Sequence, residues 1–86
     1  MNQPACKLFI RHGCHLCEDM LQQLLEFHGE LPVNQLEIID VDSSAQWQRD
    51  YGERVPVLVC GQHIICEYFF DPLSYKQYLN GQQGGL

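Results

Sequence analysis

Apolar residues change their period twice within the first forty positions of the chain. The run "KLFIR", Lys7 to Arg11, is short and mostly apolar, and predicts a buried strand. Gly13 breaks it. Leu16, Met20, Leu21, Leu24 and His28 then recur at helical spacing, with Cys17 and Leu25 beside them. Gly29 stands where a left-handed helix cap is needed, and Pro32 prevents the helix from resuming. A second strand is predicted over Leu36 to Val41, within "QLEIIDVD". Ser43 offers an N-cap oxygen with Gln46 three residues on, a pattern that opens a short helix through about Tyr51, and Gly52 closes it.

"VPVLVC" and "HIICEY" are β-rich runs separated by Gly61-Gln62, a two-residue turn with glycine where type II′ requires it. Asp71-Pro72 supplies an N-cap and a first helical residue for a last helix carrying Leu73, Tyr75, Lys76 and Leu79. The tail "NGQQGGL" is glycine-rich and is expected to fray. The predicted order is β-α-β-α-β-β-α: an α/β fold with a four-stranded mixed sheet flanked by three helices. The first two strands should be parallel and joined by a right-handed crossover. A single domain is expected over residues 1–86, with its core at about 6–80 and residues 81–86 as a frayed tail.

Composition narrows the function. The chain is 45% hydrophobic, enough for one compact core, and carries a formal charge of −6. Such a surface repels phosphate backbones and anionic lipid, so neither nucleic acid nor membrane is an expected partner. The start, "MNQPACKLFIR", lacks a signal peptide's apolar core, and no apolar run approaches a membrane span. The expected compartment is the cytoplasm and the expected state a monomer. Five cysteines in a reducing compartment argue for redox or metal chemistry rather than a disulfide framework.

Cys14-His15-Leu16-Cys17 falls directly after the first strand, at the opening turn of the first helix. Unpaired amides and the helix dipole at that end stabilise a thiolate, which is the attacking species in disulfide exchange. Cys14 is therefore the expected nucleophile, and Cys17, one turn in and on the apolar face, the expected resolving thiol. Protonated His15 would tune Cys14 toward the thiolate, whereas His12 reads equally as an exposed loop residue. Val55-Pro56 opens the third strand. If that strand runs antiparallel to the first, a cis proline there leaves Val55's backbone groups facing Cys14, ready to pair with an extended substrate. Arg54 beside it, and Glu67 at the end of the fourth strand, join Val55 and Pro56 as substrate-binding candidates.

A zinc reading uses Cys14 and Cys17 with Cys60-x-x-His63. Cys60 lies four residues beyond Pro56, roughly 13 Å along a strand leading away from Cys14, so no metal is assigned. Cys6 reads as incidental, just before the first strand, and Cys60 as a small apolar core residue. With His63 facing Cys60 across the turn, Cys66 should face Val57 at the end that carries Cys14; it reads as a buried residue or, alternatively, as a third thiol near the pair. Tyr68, Phe69 and Phe70 read as helix-to-sheet packing, or alternatively as a partner-contacting segment.

In combination, the C-x-x-C after strand one, "RVPVLV", "CGQHIIC" and the aspartate-capped last helix resemble the glutaredoxins. They are most similar to small bacterial glutaredoxin-like proteins of the thioredoxin superfamily, across about residues 6 to 80. The resemblance implies a thioredoxin-like fold and a dithiol disulfide reductase, with Cys14 attacking, Cys17 resolving, Pro56 cis and Val55 meeting the substrate. It implies disulfide-bearing protein or small thiol substrates and a reductase or thiol that recharges the pair, with no bound cofactor. Glutathione is the family's usual reductant, but the glycine pair that helps hold it is replaced here by Cys66-Glu67. Glu67 in the groove would repel the γ-glutamyl carboxylate, so weak glutathione dependence is expected. The alternative function is a thioredoxin-fold binding or adaptor module with little turnover.

Overall fold

The computed structural model describes residues 6–28 and 36–84. Strand β1 (Cys6–Ile10) leads through a turn to helix α1 (His15–His28), then strand β2 (Leu36–Asp40), a 3-10 turn (Val41–Ser43) and helix α2 (Ala45–Tyr51). Strands β3 (Val57–Cys60) and β4 (His63–Glu67) form the hairpin, and α3 (Pro72–Gly84) follows. The strands make one mixed sheet in the order β2-β1-β3-β4. β1 is parallel to β2 and antiparallel to β3, and β3 is antiparallel to β4. This is the four-stranded mixed sheet that the order of predicted elements implied and the thioredoxin-like architecture that the resemblance implied. The predicted cap at Gly29 and stop at Pro32 lie outside the described residues.

Alternation along each strand sorts the core into two layers. Cys6, Leu8, Leu58 and Cys60 turn to one face, where Met20 and Leu24 of α1 and Tyr75 of α3 close over them. Phe9, Ile39, Val41 and Val57 turn to the other, covered by Trp47 and Tyr51 of α2. Phe9 stacks on Tyr51 with centroids 4.2 Å apart and meets Trp47 edge-on at 5.7 Å. Gly61 takes φ +63 at the hairpin turn and Asp71 caps α3, accepting from the Ser74 amide at 3.2 Å and hydroxyl at 2.8 Å. Those bonds to Ser74 hold the Asp71 carboxyl below its ordinary value of 3.8.

Four local expectations are corrected. Ser44, not Ser43, caps α2, accepting from the Trp47 amide at 3.5 Å, while Ser43 belongs to the 3-10 turn and donates to the Asp40 carbonyl at 2.6 Å. α3 continues through Gly84 rather than fraying from Asn80, because extending an existing helix costs only about 1 kcal/mol at a glycine, far less than nucleating one. A β-bulge between Leu58 and Val59 shifts the hairpin register, so Cys66 faces Leu58 and Glu67 faces Val57. Finally, Cys6 is the first residue of β1, not incidental. It sits opposite Cys60 in the antiparallel register, with Cα atoms 4.0 Å apart, and the two form a disulfide.

That cross-link joins residues 54 apart in sequence, at 3% and 0% exposure, inside the layer beneath α1 and α3. Closing so long a loop in the unfolded chain stabilises the fold by about 4 kcal/mol on the chain-entropy account. Cys6→Ala/Cys60→Ala should therefore lower unfolding stability by about that amount in denaturant titrations of the oxidised protein. An unchanged midpoint would show that the cross-link does not form in solution.

Candidate functional site

Cys14 is the residue before the first turn of α1, and its carbonyl accepts from the Glu18 amide at 3.1 Å. Its sulfur accepts a hydrogen bond from the Cys17 amide at 3.1 Å. Cys14 thus occupies the N-cap position with sulfur as the capping atom, one of the helix's four orphan N–H groups being turned onto it. Cys17 follows one turn later, with Cα 5.2 Å from that of Cys14, and the two are disulfide-bonded. Cys14 is half-buried, while Cys17 is 3% exposed. The outer sulfur is reachable and the inner one shielded.

Local sequence explains why the chain turns so sharply here. Gly13 has φ +73, a left-handed conformation that costs glycine nothing, with no side chain near enough to exclude a Cβ. Conformation rather than space demands glycine before Cys14. Arg11, at the exit of β1, fixes the turn from the other side. Its Nε and Nη2 donate to the two Asp42 carboxylate oxygens, each at 3.2 Å, and its Nη1 donates to the Gly52 carbonyl at 3.0 Å. This forked ion pair ties the strand end to both the 3-10 turn and the end of α2. The Arg11 and Gln48 hydrogen bonds hold the Asp42 carboxyl below its ordinary value of 3.8. Sequence reasoning left Arg11 in the strand; its signal was an arginine directly after an apolar run, which has no hydrophobic role to play.

Across the sheet, the Val55–Pro56 peptide bond is cis. Phe9 pairs with Val57, so Pro56 lies beside the end of β1 from which the chain runs to Cys14. Among the described residues no hydrogen bond engages the Val55 backbone. The Pro56 carbonyl accepts from the Tyr68 amide at 2.8 Å, and Tyr68 adopts φ +67, rare for a bulky residue. Its hydroxyl donates to the Glu53 carbonyl at 3.0 Å, bracing the corner against the segment that precedes Pro56. Nothing in the sequence signalled this brace.

The remaining predicted residues separate. Arg54 Nη1 pairs with Glu67 at 2.9 Å, Nη2 donates to the Asp50 carbonyl at 2.7 Å, and the guanidinium lies over the Tyr51 ring at 5.7 Å. The two substrate-binding candidates therefore bind each other, and the Glu67 charge is balanced in place. His15 and His12 are exposed, and neither imidazole makes a hydrogen bond or ion pair among the described residues. Cys60 is bonded to Cys6, which removes it from any ligand set with Cys14, and no metal-holding cluster of three His, Cys, Asp or Glu occurs among the described residues. The aromatic segment divides. Phe70 packs with Phe27 and Tyr75, while Tyr68 and Phe69 project at 40% and 70% exposure.

A C-x-x-C at the start of the helix after β1, facing a cis proline at the head of an antiparallel β3, defines a thioredoxin-superfamily domain. Residues 5–80 match the family described as Glutaredoxin-like domain (DUF836), and the chain belongs to that family. Uncharacterized proteins from Mycobacterium bovis and Mycobacterium tuberculosis are 33% identical over 64 residues, covering 69% of this chain. The chain spans 65% of the length of these relatives. A Nitrosomonas europaea protein solved by NMR superposes with a TM-score of 0.74 at 31% identity, over 91% of this chain and 93% of its own. A Xanthomonas protein, "XcR50 from X. campestris", gives 0.65 at 27% identity, over 90% and 97%. Oxidised mitochondrial thioredoxin 3 of Saccharomyces cerevisiae gives 0.60 at 18%, over 98% and 80%, a likeness of fold. No helix among the described residues is long and apolar enough to cross a membrane.

Two outcomes follow from this chemistry. Cys66 is half-buried rather than buried and is the one cysteine outside a disulfide; desolvation raises its thiol above the ordinary 9.0. The oxidised protein should therefore show a single thiol by alkylation and mass spectrometry, reacting slowly until the chain is unfolded; two or three rapidly labelled thiols would contradict the pairing. Asp42 is held ionised by Arg11, so its contribution to stability is present above the unfolded carboxylate value near about 3.9 and is lost as pH falls through its lower folded value. Asp42→Asn should reduce the thermal midpoint at about pH 6 and converge with the parent chain as the pH is lowered below about 3.9. A gap that stays constant with pH would remove the ion pair from the account.

Proposed function

We propose that the chain is a thiol-disulfide oxidoreductase working through Cys14 and Cys17. The observation that carries this reading is the asymmetry of the pair, a half-buried sulfur at the helix start beside a shielded one that it already reaches. In the reduced form the Cys17 amide and the helix dipole favour a Cys14 thiolate. The thiolate attacks one sulfur of a substrate disulfide; the substrate S–S bond breaks, a Cys14–substrate bond forms and one substrate thiolate leaves. Cys17 then loses its proton and attacks Cys14 Sγ, releasing the second substrate thiol and forming the Cys14–Cys17 disulfide. The substrate gains two electrons and two protons, and an external thiol reductant restores the pair.

Val55's unpaired backbone offers an extended substrate a strand-like partner next to Cys14. A dithiol reductant suits the site better than glutathione. Cys66-Glu67 stands where glutaredoxins carry a glycine pair, and Arg54, the neighbouring cation, is already held by Glu67 and the Asp50 carbonyl. A glutathione carboxylate would have to displace that pairing. The second reading, an adaptor with little turnover, draws on the exposure of Tyr68 and Phe69.

Replacing Cys14 with serine should abolish reduction of a small neutral disulfide driven by dithiothreitol, while Cys17→Ser should accumulate a mixed disulfide on Cys14 visible by mass spectrometry. Partner binding without turnover in the unmodified chain would favour the adaptor. The iodoacetamide reaction of Cys14 in the reduced protein should titrate below the free-thiol value of about 8.5. A midpoint at or above that value would remove the activation by the helix start.

A further inference from the structure

Beside the C-x-x-C, a groove of about 300 Å3 runs along α1 between the helix and the Tyr68–Phe69 corner. It begins at Leu16, inside the motif, passes over Met20 and ends at Glu26. Ten helical residues span roughly 15 Å, which an extended peptide covers in about four or five residues. The outer wall is held rather than loose. Tyr68 is pinned by its amide to Pro56 and by its hydroxyl to Glu53, and the Phe69 amide donates to the Glu67 carbonyl at 2.6 Å, which keeps the Phe69 ring out in solvent. An aromatic ring presented this way, on a groove that begins inside the C-x-x-C at Leu16, is available to an incoming apolar side chain.

Charge selects the rest of the occupant. The carboxylates along the groove are those of Asp19 and Glu26, and no lysine or arginine lines it. Glu26 accepts from Gln22 at 3.2 Å, whereas the Asp19 carboxylate has no hydrogen bond or ion pair among the described residues. The whole chain carries −6, so its field draws a basic segment in and turns an acidic one, or a second copy of itself, away. We infer that this groove docks the chain of a protein partner beside its disulfide cysteine, with an apolar side chain against Leu16 and Phe69 and lysine or arginine at Asp19 and Glu26. The inference rests on the oxidoreductase reading, whose substrate class it names, but its geometry does not use the sulfurs.

The test uses the full oxidised chain, labelled with 15N, and two cysteine-free peptides, Lys-Leu-Phe-Lys-Lys and Glu-Leu-Phe-Glu-Glu. The basic peptide should give saturable amide shifts confined to Leu16–Glu26 and Tyr68–Phe69. It should bind at least about tenfold more tightly than the acidic one, a margin that shrinks as salt is raised from 0.05 to 0.5 M. Asp19→Lys/Glu26→Lys should reverse the order of the two peptides, and Phe69→Ala should weaken both. Equal binding of the two, shifts elsewhere on the surface, or shifts that follow protein concentration without peptide would each overturn the inference. Turnover of a small neutral disulfide by the same sample separates the two readings. Turnover with no peptide preference removes the groove alone; peptide preference with no turnover removes the oxidoreductase reading and leaves the groove as an adaptor surface.

Discussion

Backbone pairing between β1 and β3 joins Cys6 to Cys60 at one end and Phe9 to Val57 at the other, so the two ends of one strand pair carry different chemistry. Because the strands are antiparallel, the end where β1 stops is the end where β3 begins. The C-x-x-C and the cis Val55–Pro56 bond are thereby brought together although they lie forty residues apart in sequence. The far end holds a second pair of sulfurs, sealed in the core. A parallel β3, or a register slipped by one residue, would turn Leu58 and Cys60 to the wrong face and part the site.

Burial divides the two disulfides by access: Cys14 is half-buried, whereas Cys6 and Cys60 are sealed in the core. Exchange needs an attacking thiolate in line with the S–S bond, and the Cys6–Cys60 bond lies under α1 and α3 with no surface to attack. Cys14 is half-buried at the mouth of the helix, where the Gly13 turn and the Arg11–Asp42 fork set its direction. The fork does not touch the sulfurs. It holds the strand exit against α2, and with it the turn from which Cys14 is presented.

The element order and the placement of the C-x-x-C were legible because they follow from local signals: period changes at Gly13 and Gly52, a proline-led helix at Asp71-Pro72, a glycine in the hairpin turn. What sequence missed depended on register or on choices between equal neighbours. Ser43 and Ser44 are both good caps, and only the 3-10 turn decides between them. The bulge at Leu58/Val59 has no glycine or proline to announce it, so Cys66 was turned to Val57 when it meets Leu58. The Cys6–Cys60 bond became invisible once the first strand was begun one residue late. Arg54 and Glu67 each read as groove residues, and a contact between residues thirteen apart, invisible in either alone, joins them to each other.

The central claim is that Cys14–Cys17 is a working couple beside a buried, non-working one. Equilibrating the chain with dithiothreitol buffers of graded ratio, quenching with acid and mapping alkylated cysteines by mass spectrometry measures both bonds in one sample. The account predicts that Cys14–Cys17 opens and closes reversibly as a two-electron couple, about 30 mV per decade, while Cys6–Cys60 stays closed in the folded chain. Opening of Cys6–Cys60 first, or of both only on unfolding, would contradict it.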